Sequence, residues 1–369
     1  MNCGSSLVKG PLKGYHHETY VLSPPGGPGP VKLREPRSTS LWFDRRCFRS
    51  EEELLRGLKG RVDRVPDVVD VAGMGLQTFI EGRTLGAHRW RWGRRLPDAV
   101  FEQIVTLFRQ MVPITAETLR VERRCSPQDA PEDGDTDGFL KRLIVFVGEQ
   151  VYEANRADLG GLFEDLGVGD ESLVRLEKSV AGLTGRPFCL LHADLHRENL
   201  VLDPRGRLWT IDWELAMVGD PLYDLATHLY LMRYPADQEA RMIREWCEVV
   251  EAVRPGSSRA WKRDLRLITD FKRAQSVYTD TIRAAMSLRD QSGFRWAALP
   301  RAAGKLHDVL TAAAGPLGLE DVPGRREIMT ALIHRLREPT GEPSGEPTGE
   351  PSGEPTGLSP GEPAGSARY

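Results

Sequence analysis

The stretch from Leu190 to Leu202 reads L-L-H-A-D-L-H-R-E-N-L-V-L, and after a short turn at Pro204-Arg205-Gly206 it is answered by Leu208 to Trp213, L-W-T-I-D-W. Apolar runs of this length around a Pro/Gly turn predict two strands joined as a hairpin. His192, Asp194 and Asn199 cluster just after the first strand begins and Asp212 ends the second, so one hairpin brings all four together. Singly, an Asp beside a turn is a cap or a solvated carboxylate. Two polar elements at fixed spacing, with a third following in order, are poorly explained by chance.

Phosphoryl transfer requires such a group. A carboxylate must orient and deprotonate the attacking hydroxyl, while an amide and a second carboxylate hold the magnesium that neutralises the phosphates. The spacing from Asp194 to Asn199 matches the D-x-x-x-x-N catalytic loop of kinases. Taken with I-D-W-E and then G-D-P-L-Y-D-L-A (Gly219 to Ala226), the motif resembles the aminoglycoside phosphotransferase family of kinase-like enzymes. The resemblance is close from 188 to 226 and looser over about residues 7 to 335. It implies a protein-kinase-like bilobal α+β fold, with ATP and Mg2+ bound between the lobes' functional segments. It also implies Asp194 as catalytic base, Asn199 and Asp212 as magnesium ligands, Asp224 as a buried brace for the catalytic loop, and a structural role for His192.

Along the chain, Glu18 to Leu22, a Pro/Gly turn and Val31 to Glu35 predict a hairpin. Ser50 with Glu53 forms a capping-box signature ahead of Leu54, Leu55 and Leu58, which predicts a helix start. Gly75 to Ile80 predicts a strand, after which helical periodicities such as Phe101 to Met111 and Phe139 to Tyr152 take over. The expected organisation is a sheet-rich lobe over 1–80, a helical lobe over 81–337 and a tail over 338–369. That tail repeats Glu-Pro-Thr-Gly and Glu-Pro-Ser-Gly, too poor in apolar groups to offset its ordering entropy, so disorder is expected there. The acidic stretch Asp129 to Gly138 reads as a solvated loop, with a lid as the alternative.

In the first lobe, Lys9-Gly10-Pro11-Leu12-Lys13-Gly14 offers Gly10 and Gly14 for a loop whose backbone N–H groups approach phosphates. Lys32 is the favoured phosphate-pairing cation on the next strand, with Arg34 on the same face as the alternative. Glu51 is its expected ion-pair partner, although a Ser50 cap puts Glu51 in the first turn, whereas kinases place this residue mid-helix. Backbone groups near Phe79 to Glu81 are expected to meet adenine, with Gly82 as a flexible joint.

The acceptor is a small-molecule hydroxyl whose identity stays open. A protein kinase is disfavoured because only a short segment separates Asp212 from Asp220-Pro221, leaving no room for an activation segment. Residues 233–301 hold fourteen Lys/Arg against nine Asp/Glu, which argues against a polycationic acceptor unless the acidic loop Asp129 to Asp137 supplies the carboxylates. A net charge of −3 from 50 basic and 53 acidic residues, without a basic stripe, argues against nucleic acid. Five scattered cysteines without C-x-x-C spacing argue against a zinc site and for a reducing compartment. No span of 18 apolar residues and no leader-like start point to a cytoplasmic protein without membrane contact. The competing readings are a catalytically silent nucleotide-binding regulator and a helical scaffold without nucleotide. A protein partner for the tail is undetermined by sequence.

Overall fold

In the computed structural model, the first three strands follow from turn and alternation signals: β1 (Ser6–Lys13), β2 (His17–Ser23) and β3 (Val31–Pro36) pair antiparallel in chain order. The structure describes residues 6–13, 17–24, 29–36, 46–71, 73–87, 95–125, 130–290 and 293–337. The expected hairpin is the β2–β3 pair, with Leu22 opposite Val31 and Val21 opposite Lys32. Ser50 caps α1 (Glu51–Leu58), its Oγ accepting the Glu53 N–H at 3.2 Å, and Leu54, Leu55 and Leu58 are buried. The helix therefore begins at Glu51 and no earlier. β4 (Val68–Val71) and β5 (Met74–Thr78) complete a five-stranded sheet ordered β1-β2-β3-β5-β4.

The glycine segment needs correction. Lys9 to Lys13 is part of β1, not an open loop, because its backbone finds partners on β2, with register shifts between Leu7 and Lys9 and between Lys9 and Leu12. Gly10 sits at φ +144, and a Cβ there would lie 2.9 Å from the Tyr20 ring. Its glycine is required by that bulge and close approach. Gly14 lies outside the described residues.

Beyond the sheet, β6 (Arg83–Thr84), α2 (Asp98–Met111), α3 (Thr136–Phe146), α4 (Arg156–Asp165) and α5 (Asp170–Ser179) lead to β7 (Cys189–Leu191). Then follow β8 (Leu200–Leu202), β9 (Leu208–Thr210), β10 (Met217–Gly219), α6 (Pro221–Met232), α7 (Ala236–Val253) and α8 (Trp261–Leu288). The strand pair β11 (Arg289–Asp290) and β12 (Gly293–Phe294), α9 (Leu299–Leu317) and α10 (Arg325–Arg337) end the described chain. The architecture is α+β, a sheet-rich N-terminal region followed by a helical part. Gly82 is set by packing: a Cβ on it would lie 2.5 Å from the Leu202 carbonyl oxygen.

In its described part the acidic stretch is first a loop with Glu132, Asp133 and Asp135 exposed, as the sequence predicts, and from Thr136 it enters α3. Asp135 caps α3 by accepting the Gly138 N–H at 2.9 Å, and Asp137 accepts the Leu183 and Gly182 N–H groups at 2.8 and 3.2 Å. Orphan amides bind these carboxylates to the body of the protein. Contacts divide the chain into Met1–Arg337 and Glu338–Tyr369, the latter outside the described residues. Among the described residues no helix is long and apolar enough to cross a membrane.

Candidate active site

The motif segment forms two ladders, not the single expected hairpin. β7 pairs with β10, Leu191 opposite Met217, while β8 pairs with β9, Leu200 opposite Thr210. The run breaks at His192 because Asp224 on α6 takes the backbone: its carboxylate accepts the His192 N–H at 3.0 Å and the Ala193 N–H at 2.8 Å. Burial raises the pKa of Asp224, while the nearby His192 charge and those two amides oppose the rise. Ala193 is held at φ +63, a conformation that costs a non-glycine residue about 1–2 kcal/mol. His192 Nε2 donates to the Ile211 carbonyl at 3.1 Å, and its ring lies 4.7 Å from that of Trp213. The loop is thus fastened to the segment carrying Asp212.

Asp194 and Asn199 meet across this loop. Asn199 Nδ2 donates to the Asp194 carbonyl at 2.9 Å and to its carboxylate at 3.3 Å, leaving Oδ1 as the amide's acceptor end. Burial works against the Asp194 charge, but the hydrogen bond and charge of His196, with His192 and Lys272, hold its carboxyl well below the usual range. His196 Nδ1 accepts the Glu198 N–H at 3.1 Å, so its Nε2 carries the proton and faces Asp194 Oδ2 at 3.3 Å. Burial lowers the His196 pKa, yet the Asp194 hydrogen bond and charge leave it raised overall.

Asp212 follows β9 in the left-handed region, φ +67. Its Oδ1 accepts from Arg34 at 3.1 Å; burial opposes its charge, while Arg34 and Lys32 lower its pKa overall. Arg34 also donates to Glu51 Oε2 at 2.6 Å and lies 3.6 Å from Glu214. Glu51 accepts the Trp213 N–H at 2.7 Å and the Gln77 amide at 2.9 Å. The expected Lys32–Glu51 pair is therefore an Arg34–Glu51 pair. Only Val31 and Lys32 of β3 pair with β5, so Arg34 lies beyond the paired stretch, where it meets Glu51 of the first turn of α1. Burial and the Arg34 charge lower the Lys32 pKa. Burial beside Asp212 pushes Glu214 up to about 7.

A cavity of about 890 Å³ is lined by Asp194, Asn199 and Asp212, and also by Lys32, Arg34 and Phe79. That volume suits a small-molecule ligand. Glu51 stands behind Arg34 and does not reach the wall. Gly10 and Glu81 are also off it, although Lys9, Leu12, Ile80 and Gly82 line it. The Phe79 N–H is taken by the Pro30 carbonyl at 2.9 Å, and the Lys9 ammonium lies 5.6 Å from the Phe79 ring centroid. Sequence reasoning passed over His196 and Glu214, both within the quoted motifs and detectable by their two-residue offsets from Asp194 and Asp212. It also passed over Lys272 and Arg283 of α8, for which no local signal exists.

Among the described residues no cluster of three or more His, Cys, Asp or Glu is arranged to hold a metal unaided. Asp212 and the Asn199 amide oxygen nevertheless fit magnesium, which takes one or two protein oxygens and completes its octahedron with water and phosphate.

A model of the phosphotransferase enzyme family matches residues 8–261. Among solved structures, macrolide 2′-phosphotransferase MphH from Brachybacterium faecium is similar at 19% identity, covering 87% of this chain and 96% of that one, TM-score 0.49. Choline kinase LicA from Streptococcus pneumoniae is similar at 17% identity, 82% and 92% coverage and TM-score 0.48. Ethanolamine kinase from Plasmodium vivax is similar at 12% identity, 90% and 81% coverage and TM-score 0.49. No curated protein sequence matches the chain.

Proposed function

This chain belongs to the phosphotransferase enzyme family, whose model spans residues 8–261, and from that premise we propose that it moves the γ-phosphoryl group of ATP to a hydroxyl of a small molecule. The observation carrying this reading is the convergence of Asp194, Asn199 and Asp212 on one cavity that Lys32 and Arg34 also line. Asp194 accepts the proton of the acceptor hydroxyl as its oxygen bonds to the γ-phosphorus. The bond from that phosphorus to the β–γ bridging oxygen breaks, and ADP leaves with the electron pair.

Each remaining residue has a task in that reading. His196 donates to Asp194 and keeps its carboxylate ionised and oriented. Asn199 and Asp212 would hold magnesium, which offsets charge on the phosphate oxygens. Lys32 and Arg34 supply fixed positive charge toward the phosphates, and Glu51 keeps Arg34 on the cavity wall. The backbone around Phe79 and Ile80 borders the adenine end, where the Phe79 N–H is already engaged by Pro30. The expected cellular setting is the cytoplasm, where ATP is available.

The test is direct. Purified protein with ATP and magnesium is incubated with a library of hydroxylated metabolites and antibiotics, following ADP release and new phosphate-ester signals by phosphorus NMR. Acceptor-dependent ADP release with a matching ester supports the proposal. Absence of both, together with a melting temperature indifferent to Mg–ATP, sinks it.

A further inference from the structure

The cavity's charge is divided by position. Its carboxylates, Asp194, Glu198, Asp212 and Glu214, all come from residues 194–214. Each is engaged there, by His196, Thr84, Arg34 and Arg46 respectively. Lys9, Lys32 and Arg34 of the first sheet line the cavity as cations, and a second, separate positive group comes from α8, which presents Lys272, Gln275, Ser276, Thr279 and Arg283. Offsets of three and four residues make these a single stripe along one helix face. Two of its members are cations, three are neutral, and none is a carboxylate.

Lys272 is only 7% exposed although it lines the cavity. Its ammonium donates to two neutral oxygens, Gln275 Oε1 at 2.8 Å and Tyr223 Oη at 3.2 Å. Its charge also reaches Asp194 and helps to keep that carboxyl ionised. Arg283 lies 3.3 Å from Asp280, a carboxylate that also receives Lys305 at 2.8 Å and does not line the cavity. From Lys272 to Arg283 the helix rises about 16 Å, so the positive stripe runs well beyond the catalytic carboxylate.

Building on the phosphotransferase reading, we infer that the acceptor is an anionic hydroxyl compound, a hydroxy-carboxylate or a phosphorylated hydroxyl compound. Its negative group lies along the α8 stripe while its hydroxyl meets Asp194. A carboxylate or phosphate matches the guanidinium fork of Arg283 and is attracted by the Lys272 ammonium. An acceptor carrying several ammonium groups would set like charges against both.

The probe is protein saturated with magnesium and a non-hydrolysable ATP analogue, titrated by calorimetry with ligands sharing one skeleton: glucuronate, glucose 6-phosphate, glucose and glucosamine. A single charge-assisted contact predicts that the two anions bind at least about tenfold more tightly than glucose, with glucosamine weakest. Lys272→Glu and Arg283→Glu should each shift the order toward glucosamine. Equal affinities, a preference for glucosamine or no binding of any of the four overturns the anionic acceptor. If the magnesium–nucleotide analogue binds but the anions are not preferred, the acceptor class alone falls. If the analogue leaves the melting temperature unmoved, the phosphotransferase reading falls with it.

Discussion

The Arg34 guanidinium bridges Glu51 Oε2 at 2.6 Å and Asp212 Oδ1 at 3.1 Å, tying β3 and the start of α1 to the segment that follows β9. The Glu51 side chain is 6% exposed and that of Asp212 38%. Arg34→Met leaves two carboxylates facing each other without their shared cation. The expected loss is about 3 kcal/mol, the low end for a broken buried pair because Asp212 is partly solvated. Lys32→Met, which breaks no such bridge, should cost less stability while weakening Mg–nucleotide binding. Denaturant titration of both variants checks this; equal losses would refute the assignment of the bridge to Arg34.

Asp224 fixes the loop that presents Asp194 by accepting two successive amides. In Asp224→Asn one of those N–H groups meets an amide that has only one acceptor atom, so a buried donor is left unmet. The expected cost is about 1–3 kcal/mol, with turnover falling alongside. Thermal melting and the acceptor-dependent ADP assay measure the two effects. A variant as stable and active as the parent would show that the loop holds its left-handed Ala193 without this brace.

His228 carries a pH dependence of stability. Its Nδ1 donates to the Leu195 carbonyl at 3.0 Å, its Nε2 accepts from the Tyr234 hydroxyl at 2.9 Å, and burial pushes its pKa down to about 3. The unfolded chain takes up a proton near the ordinary value of 6.5, whereas the folded one stays neutral. This contribution is therefore complete above that value and lost as pH falls toward about 3, at up to about 1.4 kcal/mol per unit. His228→Gln should be less stable at neutral pH but lose less on acidification. Denaturant titrations at about pH 7 and about pH 5 would reveal the difference; parallel losses would remove His228 from the account.

The chemistry-bearing loop was legible because its residues are close in sequence: Asp194, Asn199 and Asp212 meet through strands only three residues long. The choice between Lys32 and Arg34 was not, because strand alternation puts both on one face and the winner depends on where α1 docks. The strand setting of Gly10 was not legible, since a glycine suits a strand bulge as well as a phosphate loop. Its pairing with β2 is a tertiary outcome. The α8 wall was invisible for a similar reason. Lys272 and Arg283 face the cavity only because of how a 28-residue helix packs, and net charge over 233–301 gave merely its sign.

The central claim rests on separate tasks for two aspartates, so the decisive measurement compares Asp194→Asn and Asp212→Asn side by side for turnover and Mg–nucleotide affinity. Asp194→Asn keeps shape but cannot take the hydroxyl proton. Turnover should fall at least about a hundredfold, with nucleotide affinity nearly unchanged. Asp212→Asn withdraws charge where the metal would be held, so affinity and turnover should drop together. Near-normal turnover in Asp194→Asn, with an acceptor that the parent phosphorylates, would contradict the account.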